Sequence, residues 1–303
     1  MKIARVTATP LYIEINIDIL NINKTNGLSI VLVEVETDEG HIGHGITAIT
    51  DEDVVATAIN NLAGPIISGE DPMANERIWE KLYWQLSPRG QTGYAGHAIA
   101  AIDVALWDIA GKHAGLPIHK LMGSYRDSAP AYASSAVFEH IEEYAEEAVS
   151  FKEAGWSAYK IHPPGIQERD IKICEETRKA VGDDYRLMLD STWSYDYPAA
   201  LRVGRAIDAL NFYWYEDPLP WDDLYGYVKL KQVLSTPILA TELPFTGLTS
   251  YAPWIMEKAT DYLRGDPALK GGLTTCLKTA HTAEAFHLNY EVRHGGNSLN
   301  NVA

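Results

Sequence analysis

Three short apolar runs in the second half of the chain end in an acidic residue: RLMLD (Arg186–Asp190), FYWYE (Phe212–Glu216) and ILATE (Ile238–Glu242). Their acids are spaced 26 residues apart, about the length of one strand, one helix and two loops. Each run predicts a buried strand, and the stretches between the runs predict helices. This alternation indicates a parallel sheet covered by helices.

The same alternation continues on both sides of these runs. It predicts further strands at Ala131–Phe138, Ala158–His162, Tyr262–Asp266 and Tyr290–His294. The predicted helices are Ile141–Ala154, Gln167–Val181, Pro198–Leu210, Leu224–Val233, Tyr251–Ala259 and Leu273–Phe286. Six of the seven strands end in an ionisable residue: His162, Asp190, Glu216, Glu242, Asp266 and His294.

A constant interval between these residues favours a (β/α) TIM-type barrel, because the carboxyl ends of its strands share one rim, where active sites lie. An open doubly wound sheet would spread the same residues along an edge. We therefore expect a barrel domain over residues 126–303. Only seven of its eight strands are found before Ala303, so we expect the recorded chain to be truncated at its C-terminus.

Residues 1–125 have a different pattern. Strands are predicted at Lys2–Ile15, Ser29–Thr37 and His41–Ile46, and helices between residues 51 and 123. Apolar residues from Ile99 to Ile109 recur at helical spacing, which predicts one buried helix face. This part of the chain is expected to be a small α+β domain.

Composition excludes several classes of function. The formal net charge is −16, which disfavours a nucleic-acid partner. No apolar run of the roughly 20 residues needed to span a membrane is found. Cys174 and Cys276 are far apart and form no CxxC pair, which is typical of a reducing compartment. We therefore expect a cytoplasmic protein without a membrane or nucleic-acid partner.

Asp190, Glu216 and Glu242 end three consecutive strands and are expected to be neighbours on the rim. Three adjacent carboxylates repel one another unless a cation lies between them. A ligand set made only of oxygens suits Mg²⁺. One such acid alone is more often a helix cap or a solvated loop residue, but three in phase predict a magnesium site.

Candidate acid/base groups lie on both sides of this predicted site. Lys160 and His162 are two residues apart on one strand and should point to the same side. Asp266 and His294 end adjacent strands and could pair, with the carboxylate orienting the imidazole. Such an arrangement suits removal of a proton next to a metal-bound carboxylate.

Motifs along nearly the whole chain resemble those of the enolase superfamily, and within it the mandelate racemase/muconate lactonizing enzyme family. They are AIDVALWDIAGKHAGLPIHKLMG (Ala101–Gly123), MLDSTWSY (Met188–Tyr195), YWYEDPLP (Tyr213–Pro220), ATELPF (Ala240–Phe245), LRGDPALKGGLT (Leu263–Thr274) and EVRHGG (Glu291–Gly296). The resemblance implies that the N-terminal domain caps the barrel and that the protein is a homo-oligomer acting on a small hydroxy-carboxylate. It also implies Mg²⁺ held by Asp190, Glu216 and Glu242, and a His294–Asp266 catalytic pair facing Lys160 and His162.

The sequence departs from the family pattern at two informative places. Many family members carry KxK on the second barrel strand, whereas this chain has Lys160-Ile161-His162, so either Lys160 or His162 could be the base. The capping-domain strand of the family usually ends in GxGE, whereas this chain reads Gly43-His44-Gly45-Ile46-Thr47 and lacks the glutamate. Substrate contacts from that loop therefore cannot be carried over.

Two reactions fit bases placed on both sides of a bound carboxylate. The non-standard second strand together with the His–Asp pair resembles the acid-sugar dehydratases, which form 2-keto-3-deoxy acids. The expected function is therefore a hydro-lyase. The alternatives are a racemase, epimerase or lactone cycloisomerase and, from another class, a barrel that binds a metal or sugar acid without turnover.

Overall fold

The computed structural model describes residues 1–14, 27–90, 93–242 and 247–293. Its N-terminal part is an antiparallel sheet in the order β1 (Ile3–Glu14), β2 (Gly27–Thr37) and β3 (Ile42–Ala48). The helices that follow are α1 (Glu52–Ala58), α2 (Gly64–Ile67), α3 (Asn75–Gly90), α4 (Tyr94–Ala114) and α5 (Ile118–Leu121), with a π-helical turn at Ile59–Ala63 between α1 and α2. The predicted α+β architecture is confirmed, while a domain boundary near residue 125 stays a prediction.

The long helix α4 packs directly on the sheet. A Cβ atom added to Gly43 would lie 2.1 Å from the Ala105 carbonyl oxygen, and one added to Gly45 would lie 1.8 Å from that of Ala101. Only glycine allows the strand backbone to approach the helix so closely. The helix ends at Ala114, and Gly115 follows it with a φ of 64°, the left-handed conformation that commonly terminates a helix.

The second part is a parallel sheet of seven strands in chain order among the described residues. Its strands are β4 (Ala133–Ser134), β5 (Ala158–Ile161), β6 (Arg186–Asp190), β7 (Trp214–Glu216), β8 (Ile238–Ala240), β9 (Tyr262–Gly265) and β10 (Asn289–Val292). The intervening helices are α6 (Ile141–Glu153), α7 (Gln167–Val181), α8 (Tyr197–Ala209), α9 (Leu224–Val233), α10 (Ala252–Met256) and α11 (Gly272–Ala285), with a 3₁₀ turn at Leu248–Ser250 before α10. This is the TIM-type arrangement that the sequence predicts.

The main core fills the space between this sheet and its outer helices. Tyr159, Leu187 and Tyr215 are fully buried there against residues of the helices, such as Ile173 and Val203. None of the helices in the described ranges is both long and apolar enough to cross a membrane.

Candidate metal centre and active site

The barrel interior is built in layers by the alternation of side chains along the strands. Ala158, Met188 and Trp214 form one inner layer together with Leu239, bordered by Tyr132 and Tyr262. Two residues further along each strand, the same side of the backbone presents Lys160, Asp190, Glu216 and Arg264. All four of these charged residues are buried.

Glu242 reaches this charged layer by a different route. Strand β8 ends at Ala240, two residues before Glu242. Thr241 has a φ of +81°, a region that β-branched residues rarely adopt, and its side-chain oxygen accepts a hydrogen bond from the Arg264 backbone N–H at 3.0 Å. This turn interrupts the alternation, so that Glu242 rather than Thr241 completes the group of acids.

The fold brings together the three acids that the sequence predicts as metal ligands, Asp190, Glu216 and Glu242. One carboxylate oxygen from each lies within 4.8 Å of the others, and all three residues are buried. Burial alone opposes their ionisation. It raises the pKa of Glu216 despite the opposing charge of Arg264. For Asp190 the burial effect is outweighed by Lys160 and His162, which hold the pKa of this carboxyl well below its usual range. A clustered set of hard oxygen donors fits a divalent cation such as Mg²⁺.

Lys160 and His162 both point into this site, as predicted. The Lys160 Nζ atom lies 2.7 Å from Asp190 Oδ2 and 2.8 Å from Glu216 Oε2. Burial and Arg264 lower the pKa of Lys160, but these two carboxylates outweigh them and raise it above its ordinary value. Lys160 is thus a cationic partner of the acids in this arrangement.

His162 lies nearer to the opening of the barrel. Its side chain is 16% exposed, against 3% for Lys160. The Nδ1 atom lies 2.9 Å from the Ser135 carbonyl oxygen, which can only accept, so Nδ1 carries a hydrogen. The Nε2 atom, 2.9 Å from Asp190 Oδ2, is therefore the ring nitrogen that faces the acidic group.

Two arginines in the site were not anticipated from the sequence. Arg264 Nε lies 2.8 Å from Glu216 Oε1, and Arg293 Nε lies 2.7 Å from Glu242 Oε1. Arg264 could have been found by strand alternation, because it lies two residues before Asp266 in the predicted strand Tyr262–Asp266. Arg293 directly precedes His294, the predicted catalytic residue, and strand alternation gives no indication that it lies in the site.

Asp266 follows β9 and is fully buried. Its Oδ1 atom accepts a hydrogen bond of 2.7 Å from the Ala268 backbone N–H, while Oδ2 has no hydrogen-bond partner within the described part of the chain. Burial raises the pKa of Asp266 to about 6, against the charge of Arg293. Its predicted partner His294 lies outside the described residues, so the His294–Asp266 pair stays a prediction.

The N-terminal domain contacts the loop that carries Asp266. Thr47 donates a hydrogen bond of 2.8 Å to the Ala268 carbonyl oxygen, and its hydroxyl also lies 2.5 Å from His97 Nδ1. Trp79 Nε1 donates to the Gly271 carbonyl oxygen at 2.7 Å. Thr47, one residue after the position where many family members carry the glutamate of GxGE, thus supports the backbone next to Asp266.

Comparison with known proteins agrees with this architecture. Residues 14–123 match the N-terminal domain of the mandelate racemase/muconate lactonizing enzyme family, and residues 143–303 match the enolase C-terminal domain-like family. The chain belongs to the mandelate racemase/muconate lactonizing enzyme family of the enolase superfamily.

Several members of the family are similar along most of this chain. L-Talarate/galactarate dehydratase of Salmonella typhimurium is 33% identical over 258 residues, which cover 83% of this chain and 64% of that protein. D-Galactarolactone cycloisomerase of Agrobacterium fabrum is 32% identical over 84% of this chain and 68% of its own length.

One similar solved structure contains magnesium. L-Talarate dehydratase from Polaromonas sp. JS666, complexed with Mg and L-glucarate, superposes with a TM-score of 0.84 and 32% identity, covering 96% of this chain and 80% of that one. The similar proteins thus include both lyases and isomerases.

Proposed function

We propose that this family member is a magnesium-dependent acid-sugar dehydratase that converts a hydroxy-carboxylate into a 2-keto-3-deoxy acid. The observation that carries the proposal is the convergence of three buried carboxylate oxygens within 4.8 Å at the carboxyl ends of β6, β7 and β8. Similarity to a talarate/galactarate dehydratase supports dehydration as the reaction.

Asp190, Glu216 and Glu242 are the residues proposed to hold the metal. A bound Mg²⁺ would bind the substrate carboxylate and make the hydrogen on the adjacent carbon more acidic. The buried position of the three acids keeps bulk water away from them, so their charge acts strongly on anything bound between them.

His162 is proposed as the base. Its Nε2 atom faces the acidic group near the opening, whereas the Lys160 Nζ atom lies deeper and is held in two ion pairs. Both ring nitrogens of His162 face oxygen acceptors in this arrangement, so Nε2 must first lose its hydrogen and leave Asp190. It then takes the α-proton, and the released electron pair forms the double bond between the α and β carbons. The β-hydroxyl leaves as water after receiving a proton, and the resulting enol becomes the 2-keto-3-deoxy acid.

The acid that protonates the departing hydroxyl is proposed to be His294, supported by Asp266. The buried and unpartnered Asp266 Oδ2 is consistent with this role, because an imidazole N–H is a suitable donor for it. The His294 side chain itself lies outside the described residues.

A second candidate reaction is lactone cycloisomerisation or epimerisation of a similar acid. It is favoured by the similarity to D-galactarolactone cycloisomerase, at 32% identity. Both candidate reactions begin with removal of a proton from the carbon next to a carboxylate. They differ in whether water is then lost from the substrate.

The test is incubation of the protein and Mg²⁺ with a panel of aldarates, aldonates and their lactones in deuterated water. Formation of a 2-keto acid from an open-chain aldarate or aldonate is expected, and it would identify dehydration because such a substrate must lose water to give it. Exchange of the α-proton with all hydroxyls retained would favour the isomerase. Binding of Mg²⁺ without turnover of any compound would favour a binding protein, and the absence of any Mg²⁺ binding would contradict the proposed site.

A further inference from the structure

We infer that Arg264 and Arg293 are fixed counter-ions of the proposed metal ligands, and that they weaken Mg²⁺ binding while stabilising the folded barrel. The inference rests on the proposed metal site and concerns how strongly that site holds its ion.

Every acid of the site is already in contact with a cationic side chain. Asp190 contacts Lys160 at 2.7 Å, Glu216 contacts both Lys160 and Arg264 at 2.8 Å, and Glu242 contacts Arg293 at 2.7 Å. Three carboxylates therefore face three cations, and their formal charges cancel without any contribution from His162.

The arginines differ from Lys160 in that they cannot lose their positive charge. A guanidinium keeps its charge at any pH that a protein experiences, so it cannot become neutral when a dication arrives. Arg264 is only 2% exposed, and its Nη1 atom donates a hydrogen bond of 2.9 Å to the Tyr132 hydroxyl inside the barrel.

Arg264 also lies close to a second ligand. Its Nε atom is 4.0 Å from Glu242 Oε1, in addition to its contact with Glu216. A dication held between Glu216 and Glu242 would thus be bound next to a buried positive charge, and the repulsion between them lowers its affinity. Without the arginine the same carboxylates would lose a buried partner, which destabilises the fold.

The two effects have opposite signs, and this makes the inference testable by direct binding. The variants are Arg264→Met and Arg293→Gln, which remove the charge, and Arg264→Lys, which keeps it. Arg186→Gln is a matched control, because Arg186 begins β6 at the other end of the barrel and its guanidinium lies over the Tyr213 ring. Mg²⁺ alone is titrated into each full chain by calorimetry, and thermal unfolding is followed with EDTA and with Mg²⁺.

We expect Arg264→Met and Arg293→Gln to bind Mg²⁺ at least about tenfold more tightly than the unmodified chain. Both should unfold at a lower temperature in EDTA and gain more from added Mg²⁺. Arg264→Lys and Arg186→Gln should bind Mg²⁺ with nearly the original affinity. The Arg293 side chain is 29% exposed, so its replacement should disturb folding less than that of Arg264. If Arg264→Met does not fold, the Mg²⁺ affinity of Arg293→Gln alone tests the inference.

Two outcomes overturn the inference, and they can be told apart. If the unmodified chain binds Mg²⁺ and the neutral variants bind it equally or more weakly, the arginines do not weaken the site, although the proposed function stands. If neither the unmodified chain nor any variant binds Mg²⁺, the proposed metal site fails and the inference fails with it.

Discussion

The carboxylate of Asp103 in α4 caps the first turn of α11, which belongs to the barrel. It accepts hydrogen bonds from the Thr274 backbone N–H at 2.9 Å and from the Thr274 hydroxyl at 2.6 Å. Trp107 in the same helix donates to that hydroxyl at 2.9 Å. Since α11 follows the loop that carries Asp266, this contact ties the position of the loop to the N-terminal sheet and helices.

Replacement of Asp103 by alanine should destabilise the protein by about 2 kcal/mol or more, because it leaves a buried N–H group and a buried hydroxyl without their acceptor. Burial raises the pKa of Asp103 from its ordinary 3.8 to about 7, so the cost of burying this acid grows as the pH rises between these two values. Urea unfolding is therefore measured near pH 4.5, where that cost is still small. Asp196→Ala is the control, since Asp196 caps α8 at an exposed site through the Ala199 N–H. A loss no larger than that of the control would show that the Asp103 contact adds little.

Stability should fall as the pH is lowered from 6.5 to about 4, in part because of His97. Burial lowers the pKa of this imidazole to about 4 in the folded protein, from 6.5. In this window the unfolded chain binds a proton at this position that the folded protein does not, so acid favours unfolding. The difference of about 2.5 pH units corresponds to at most about 3 kcal/mol.

The variant His97→Asn isolates this contribution. Its free energy of unfolding, measured by urea at pH 7, 5.5 and 4.5, should lie below that of the unmodified chain at pH 7, and the gap should narrow as the pH falls. The exposed His113 serves as the control, and His113→Asn should change stability equally at all three values. A gap for His97→Asn that does not depend on pH would contradict burial of a neutral ring.

Because β3 packs closely on α4, replacement of Gly45 even by alanine should strongly destabilise the protein. The added Cβ atom would lie 1.8 Å from the Ala101 carbonyl oxygen, so strand and helix would have to separate. We expect a loss of more than about 3 kcal/mol in thermal or urea unfolding, because overpacking against rigid backbone cannot be relieved by a side-chain rotation.

Gly69→Ala provides the comparison for Gly45→Ala. Gly69 has a φ of +80° and nothing within 4 Å of an added Cβ, so its replacement should cost only about 1–2 kcal/mol of left-handed strain. Similar losses at the two positions would argue against the close approach of β3 and α4.

Much of the barrel could be predicted from the sequence because its helices and buried strands are long enough to show their period. The bounds of α7 and α9 agree with the predicted Gln167–Val181 and Leu224–Val233. The predicted strand Ala131–Phe138 is reduced to Ala133–Ser134, because the length of an outer strand depends on pairing with its neighbour, and β4 pairs with β5 through these two residues.

The site was less completely predictable. Alternation places Asp190 and Glu216 in the interior, but by the same rule Thr241 rather than Glu242 would follow Leu239. Only the unusual φ of Thr241 restores Glu242 to the group, and nothing in the local sequence indicates that conformation. The last residue of each predicted strand does not indicate Arg264, which lies two residues before the predicted strand end at Asp266 and shares its side.

The assignment of the base between His162 and Lys160 can be decided by following exchange of the substrate α-proton in deuterated water. His162→Asn should lower the exchange rate by about 10²- to 10⁴-fold, the usual contribution of a general base. Mg²⁺ affinity is measured alongside, because His162 contacts the proposed ligand Asp190, so that a loss of exchange can be told apart from a loss of metal. His140→Asn is the control, because His140 lies at the exposed start of α6 and its replacement should not affect exchange. Full exchange in His162→Asn, together with its loss in Lys160→Arg, would assign the base to Lys160, whose amino group would then have to leave the ion pairs with Asp190 and Glu216.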